Sequence, residues 1–482
     1  MIRRRAVLTA GLTAGMSALA GAAFGQTRPL ARPDRTAQSG GAAALCAQAI
    51  AAAKLGGKVG YAVADLSTGQ VLDAFDADTP LPPASVSKAV TTLYALQHLG
   101  AGHRFETQLL ATGPLQGGVL QGDLILAGGG DPNFDTDRMG DLAAALARTS
   151  LRRITGRFLV WDGALPHIDR ITDDQPDFVG YNPTISGVML NYNRAQFVWG
   201  GGNLSVNAEG SRFVPAVQVV QVKTAPREAP LFVYESKTPI ERWSVAAPAL
   251  NKAGSRWLPV RVPSAYAGDV FGALCGAQGI KLPKAAETQA LPNGAQMLAQ
   301  DRSEKLDQLM RDMLRYSTNL TAEAIGLTTS RAATIAASGA AMSDWAQARF
   351  GISAQFFDHS GLGAASLCTP ADMLRVMLGA KDTALISLLR ERGVDSTGRE
   401  DKNGALRVFA KSGTLNFTSN LAGYVTAPSG RALAFAVFAA DSPRRAALPQ
   451  DQREDPIGGA AWTKRARTMH RAMIAAWSGE WL

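Results

Sequence analysis

The sequence predicts an α/β sandwich: one antiparallel sheet, completed by strands from both ends of the chain, with helices on its two faces. Two alternating runs near the start, 58–65 and 70–75, flank a Ser67-Thr68-Gly69 turn and read as a hairpin. Three more strand-like runs lie near the end, at 406–411, 420–425 and 432–438. Helical segments accompany them. An Ala-rich stretch at 42–55 and a long one at 460–477 bracket the strands, and 342–350 and 371–378 add two more. From residue 303 Leu306, Leu309, Met310, Met313 and Leu314 form one apolar stripe, followed by a second helical stretch around Ala322–Ile325.

Between these groups the texture changes. From Arg104 on, short alternating runs between glycine-rich turns are interrupted by one helix at 139–147. The expected organisation is a leader over 1–25, a linker over 26–41, one α/β domain assembled from 42–103 and 290–482, and a β-rich insertion over 104–289 holding two nested domains. Trp161, Trp199, Trp243 and Trp257 fall in the insertion and are expected in its core rather than stacked on sugars.

Composition narrows the function classes. With 46% apolar and 18% charged residues the chain is globular, and its 482 residues call for two or three domains. Residues 1–25 join Arg3-Arg4-Arg5 to a short apolar run ending in Ala23-Phe24-Gly25, which reads as an export signal of the general secretory or twin-arginine type. The run is too short for a membrane span, so at most peripheral membrane association is expected, and a periplasmic location. Removing its three arginines takes the net charge from +9 to +6, and no basic cluster with interleaved aromatics marks a nucleic-acid surface. Cys46, Cys275 and Cys368 include no C-x-x-C pair and are expected as buried free thiols, with one disulfide at most. The five histidines are scattered without H-E-x-x-H, which argues against a zinc peptidase.

The chemistry gathers in three short motifs. After Pro82-Pro83, Ser85 sits at or near the start of a helix whose stripe is Val90, Leu93 and Leu96. Lys88 lies one turn on, so an amine comes within reach of a hydroxyl that is a poor nucleophile until a base takes its proton. Ser317-Thr318-Asn319 places a hydroxyl and an amide on a helix-to-helix connection. Lys411-Ser412-Gly413-Thr414 ends a strand, and Gly413 permits close approach by a ligand. S-x-x-K and K-[ST]-G each occur once; a rival S-x-N, Ser205-Val206-Asn207, lies in a glycine-rich strand setting.

S-x-x-K, S-x-N and K-[ST]-G in this order are a penicillin-binding signature. With Ser317 following Lys88 by 229 positions, and with Gly129-Gly130-Asp131-Pro132 and Asp358-His359-Ser360-Gly361-Leu362, the mature chain resembles the class C low-molecular-mass penicillin-binding proteins, the D-alanyl-D-alanine carboxypeptidases/endopeptidases. That resemblance implies a penicillin-binding/β-lactamase-like transpeptidase fold with an insertion after the nucleophile helix. It implies catalysis by Ser85 as nucleophile, Lys88 as base, Ser317 as proton relay and Asn319 as orienting amide. Lys411, Ser412, Gly413 and Thr414 would bind substrate, the N–H groups of Ser85 and Thr414 forming the oxyanion hole. The implied partners are peptidoglycan stem peptides and β-lactam antibiotics, with no metal or cofactor. Lys88 is expected neutral, its pKa lowered by Lys411 and partial burial. The sequence departs from the family pattern at Thr318 (usually Asp), Ser412 (usually Thr) and His359 (usually Gly), the first and last bearing on substrate preference.

Other readings are a β-lactamase, against which the insertion argues, and a non-catalytic peptidoglycan-binding or β-lactam-sensing protein. Asp358-His359 without a G-x-S-x-G elbow reads as a polar turn, Gly128-Gly129-Gly130 as a turn rather than a phosphate loop, and Glu323 as a solvated helix position.

Overall fold

The computed structural model describes residues 41–236 and 240–482. The leader and nearly all of the linker expected from the sequence lie outside them.

The central sheet runs Arg390–Val394, Leu406–Leu415, Thr418–Thr426, Ala432–Ala440, Lys58–Asp65, Val71–Phe75, and every neighbouring pair is antiparallel. Both chain ends therefore build it, joined by the pairing of Lys58 with Ala440. The sixth strand, Arg390–Val394, is one more than the sequence analysis expects. Its Arg-Glu-Arg-Gly-Val composition reads as polar loop because it is a charged edge strand, a form that discourages further strand pairing.

Period-two alternation feeds two cores. From Ala432–Ala440, the side chains of Leu433, Phe435, Val437 and Ala439 join Trp462, Met469, Met473 and Trp477 of the closing helix Gly459–Trp481. Ala434, Ala436, Phe438 and Ala440 point the other way, to Val90 and Leu93 of Ser87–Leu99 and to Met310 and Met313 of Leu306–Tyr316. A strand buried on both faces reads as one continuous apolar run. The small alanines of that face let the helix Pro370–Gly379 pack close.

The strands between Glu106 and Arg302 form separate sheets among the described residues. The largest runs Ala286–Thr288, Phe158–Trp161, Leu124–Ala127, Glu106–Ala111, Gln296–Arg302. Three more have three strands each. The expected helix is present as Thr136–Arg148, and a second, Pro263–Ala277, was not foreseen. Its Gly268, Gly272 and Gly276 blur a stripe that Tyr266, Val270, Phe271 and Leu274 do form. Of the four tryptophans only Trp243 is fully buried; the others are half-buried. All three cysteines are buried and free.

Candidate active site

Ser85 lies in a 3-10 turn, Ala84–Val86, that feeds directly into Ser87–Leu99. The turn is tightly held. Ala84 has a left-handed backbone (φ +48), Ser87 Oγ donates to its carbonyl at 2.9 Å, and Asn420 Nδ2 donates to Pro82 O at 2.8 Å. Two glycines let neighbouring chains approach it. A Cβ on Gly413 would lie 2.7 Å from Pro83 O and 3.1 Å from Ser85 N, and one on Gly361 would lie 1.9 Å from Ala84 O. The Lys411-bearing strand and the Asp358–Gly363 loop thus close on the serine from two sides.

Lys88 is fully buried, with Ser85 half-buried above it. Its Nζ lies 3.0 Å from Ser85 Oγ, 2.9 Å from Asn319 Oδ1 and 2.7 Å from Ser360 O. A neutral amine has two hydrogens and one lone pair. The amide oxygen and the carbonyl accept both hydrogens, which leaves the lone pair for the serine O–H. Burial pulls the Lys88 pKa down to about 8, against the opposing pull of Glu323 and Asp358.

Lys411 faces it across the cleft, 3% exposed, its Nζ 3.0 Å from Ser317 Oγ and 2.8 Å from Ser412 O. Its pKa is lowered well below the ordinary value by burial, then by Lys88 and Arg392. Ser317 reaches this position because it caps Leu306–Tyr316 in the left-handed conformation (φ 60), and Asn319 opens the next helix, Asn319–Ser330. Asn319 Nδ2 donates to Tyr181 O at 3.0 Å, which ties the site to the segment between the two halves of the sheet.

These groups share one cleft of about 510 Å³ lined by Ser85, Ser317, Asn319, Ser412 and Thr414, with Tyr181, Leu415 and Arg445 further along. All eight site residues expected from the sequence come together: Ser85, Lys88, Ser317, Asn319, Lys411, Ser412, Gly413 and Thr414. Ser205 and Asn207 of the rival motif lie on the strand Asn203–Asn207 and do not line the cleft.

Several expectations need correction. Lys88 is wholly rather than partly buried, and burial, not Lys411, lowers its pKa. Glu323 is not solvated: it is fully buried one helical turn after Asn319, and its carboxylate accepts the N–H groups of His359 and Ser360 (3.1 and 2.8 Å). Burial and the neighbouring Asp358 push its pKa up to about 8. The polar turn expected at Asp358-His359 is buried. Asp358 accepts from Gly361 N at 2.6 Å and Gly363 N at 2.7 Å, and burial raises its pKa. Sequence reasoning missed the link between these acids and Lys88 because Glu323 acts through a loop 36 and 37 positions away. The His359 ring packs where a Cβ on Gly326 would lie 2.1 Å away, and Nε2 bonds Ser338 Oγ at 2.6 Å. That side chain does not line the cleft, and burial lowers its pKa to about 3. Turned toward Ser338 and Gly326 rather than Ser85, it is not placed as the base of a Ser-His-Asp triad. Among the described residues no cluster of three or more His, Cys, Asp or Glu could hold a metal.

Residues 42–464 match the D-Ala-D-Ala carboxypeptidase 3 (S13) family. The chain belongs to that family. It is accordingly a serine-type D-Ala-D-Ala carboxypeptidase, a hydrolase. The D-alanyl-D-alanine carboxypeptidase of Actinomadura sp. (strain R39) is 27% identical over 434 residues, covering 78% of this chain and 77% of that protein. The D-alanyl-D-alanine carboxypeptidase DacB of Haemophilus influenzae is 25% identical over 415 residues, covering 80% and 85%. The crystal structure of penicillin binding protein 4 (dacB) from H. influenzae matches with a TM-score of 0.69 at 24% identity, over 82% of this chain and 93% of that one. The same protein has been solved complexed with a β-lactam (TM-score 0.66, 23% identity, 82% and 92% coverage). The penicillin-binding fold, with its extra sheets, is therefore the fold of this chain.

Proposed function

We propose that Ser85, Lys88, Ser317 and Lys411 hydrolyse the D-alanyl-D-alanine bond of peptidoglycan stem peptides through an acyl-enzyme. The observation that carries this reading is the 3.0 Å contact between a fully buried lysine amine and the Ser85 hydroxyl. Lys88, neutral, takes the Ser85 proton as Oγ attacks the penultimate D-alanine carbonyl. The N–H groups of Ser85 and Thr414 receive the oxyanion. Ser317, held by Lys411, passes a proton to the leaving D-alanine amine while Asn319 keeps Lys88 in line. Lys411, Ser412 and Thr414 bind the terminal carboxylate, and Gly413 keeps that strand close to Ser85. Water then releases the acyl group.

A D-alanyl cross-link breaks by the same chemistry with a longer amine leaving group, so endopeptidase activity belongs to the same proposal. β-Lactams are expected to trap the acyl-enzyme, consistent with the complexed relative. Export to the periplasm, where peptidoglycan lies, is supported by the basic and apolar pattern of residues 1–25.

Intact mass after incubation with benzylpenicillin tests the nucleophile. The expected result is one adduct on wild type and none on Ser85→Ala; an adduct that persists in the variant would refute Ser85 as the acylated residue.

A further inference from the structure

The insertion reaches the catalytic residues through the segment 165–193, whose Ile171, Ile185 and Met189 pack on Leu320, Ala324 and Leu327 of the helix Asn319–Ser330. From this segment the Tyr181 carbonyl accepts Asn319 Nδ2 at 3.0 Å. That bond decides which end of the amide faces Lys88. With Nδ2 occupied, Oδ1 is left to accept a hydrogen of Lys88 Nζ at 2.9 Å. Turned over, the amide would aim an N–H at the amine and compete with the Ser85 hydroxyl for its lone pair. A base whose lone pair is taken by an amide cannot take the serine proton.

Apolar packing does not set the direction of a carbonyl. A buried side chain from elsewhere in the insertion does. Arg261 lies on the connection between the strand Gly254–Pro259 and the helix Pro263–Ala277 and is 2% exposed. Its guanidinium donates to three backbone carbonyls of the segment: Nη1 to Asp169 O at 2.6 Å and to Asn182 O at 3.0 Å, and Nη2 to Asp177 O at 2.7 Å. Asn182 directly follows Tyr181, so the carbonyl on Asn319 and a carbonyl on Arg261 belong to consecutive residues. The Asn182 side chain pins the opposite strand of the loop, accepting Ile171 N and Thr172 N at 2.9 and 3.1 Å and donating to Thr172 O at 2.8 Å.

Arg261 is held in turn. Glu241, fully buried at the start of the strand Glu241–Ala246, accepts Arg261 N at 2.8 Å and Val262 N at 3.2 Å through Oε2. The planar fork of an arginine fixes directions that a point charge does not.

We propose that Arg261 is a positioning residue for acylation: by holding the segment 169–182 it keeps the Tyr181 carbonyl on Asn319, and so keeps the Asn319 oxygen turned to Lys88. The inference rests on the peptidase reading above. It gives the inserted region a part in setting up the base, although Arg261 touches neither Ser85 nor Lys88.

The test is a double-mutant cycle on the first-order rate constant of acylation at saturating benzylpenicillin. Arg261→Gln, which keeps a donor but loses the fork, is expected to slow that step by about tenfold, within the range of coupled residues. In an Asn319→Ala background the same change should slow it by less than about twofold, because the amide through which Arg261 acts is gone. Arg261→Lys should fall between wild type and Arg261→Gln. A rate constant does not depend on how much of a variant is folded, and Arg261→Lys carries the same cycle if Arg261→Gln does not fold. An unchanged rate in the wild-type background, or an equal loss in both backgrounds, would overturn the positioning role while leaving the peptidase reading intact. Failure of wild type to acylate would overturn both.

Discussion

The two walls of the catalytic cleft each carry a buried lysine, and the two lysines stand in different company. Beneath Lys88 lie two buried carboxyl groups, Glu323 and Asp358, which oppose the effect of burial and leave its pKa at about 8. Around Lys411 no acid offsets burial; Lys88 and Arg392 push in the same direction, and its pKa lies well below the ordinary value. Lys88 also has every direction filled, by a hydroxyl, an amide oxygen and a carbonyl. Lys411 contacts one hydroxyl and one carbonyl, both on the rim of the cleft. The contrast supports the proposed roles: Lys88, with a hydroxyl, an amide oxygen and a carbonyl around its amine, is the proposed base, and Lys411, with no acid beside it, is the proposed partner of the substrate's terminal carboxylate.

The largest effect should follow from removing the first lysine. Lys88→Met is expected to slow acylation by benzylpenicillin by about 10³-fold or more, in line with loss of a general base, with folding checked by thermal melting. Lys411→Met should act through the substrate instead. Its kcat/KM should fall by about 10²-fold on a peptide with a free terminal carboxylate, and much less on the same peptide amidated at its C-terminus. Equal losses on the two peptides would erase the contrast between the walls.

The smallest effect sharpens the contrast from below. Gln at position 323 keeps an oxygen for the N–H groups of His359 and Ser360 but carries no charge. Glu323 raises the Lys88 pKa, so Glu323→Gln should move the acidic limb of the acylation rate to lower pH, by about one unit or less. A shift to higher pH would contradict the electrostatic role given to this acid.

The same contrast explains what could be read from the chain alone. Ser85 and Lys88 share one helical turn, and Lys411 to Thr414 share one strand, so local spacing was enough to find them. The sheet was legible because its central strands are long apolar runs. Glu323 was misread because a lone acid on a helix is usually solvated, and its burial depends on a loop that only the fold brings beneath Lys88. Its neighbour Gly326 is a similar case: the missing Cβ makes room for His359, a pairing no local motif encodes.

The central claim is that Lys88 acts as a neutral base, and the pH dependence of the benzylpenicillin acylation rate tests it directly. Because the free amine is the active form, the rate should rise with pH and level off through a single titration near pH 8. A rate that stays flat from pH 6 to pH 9, in buffers where the β-lactam itself is stable, would contradict it.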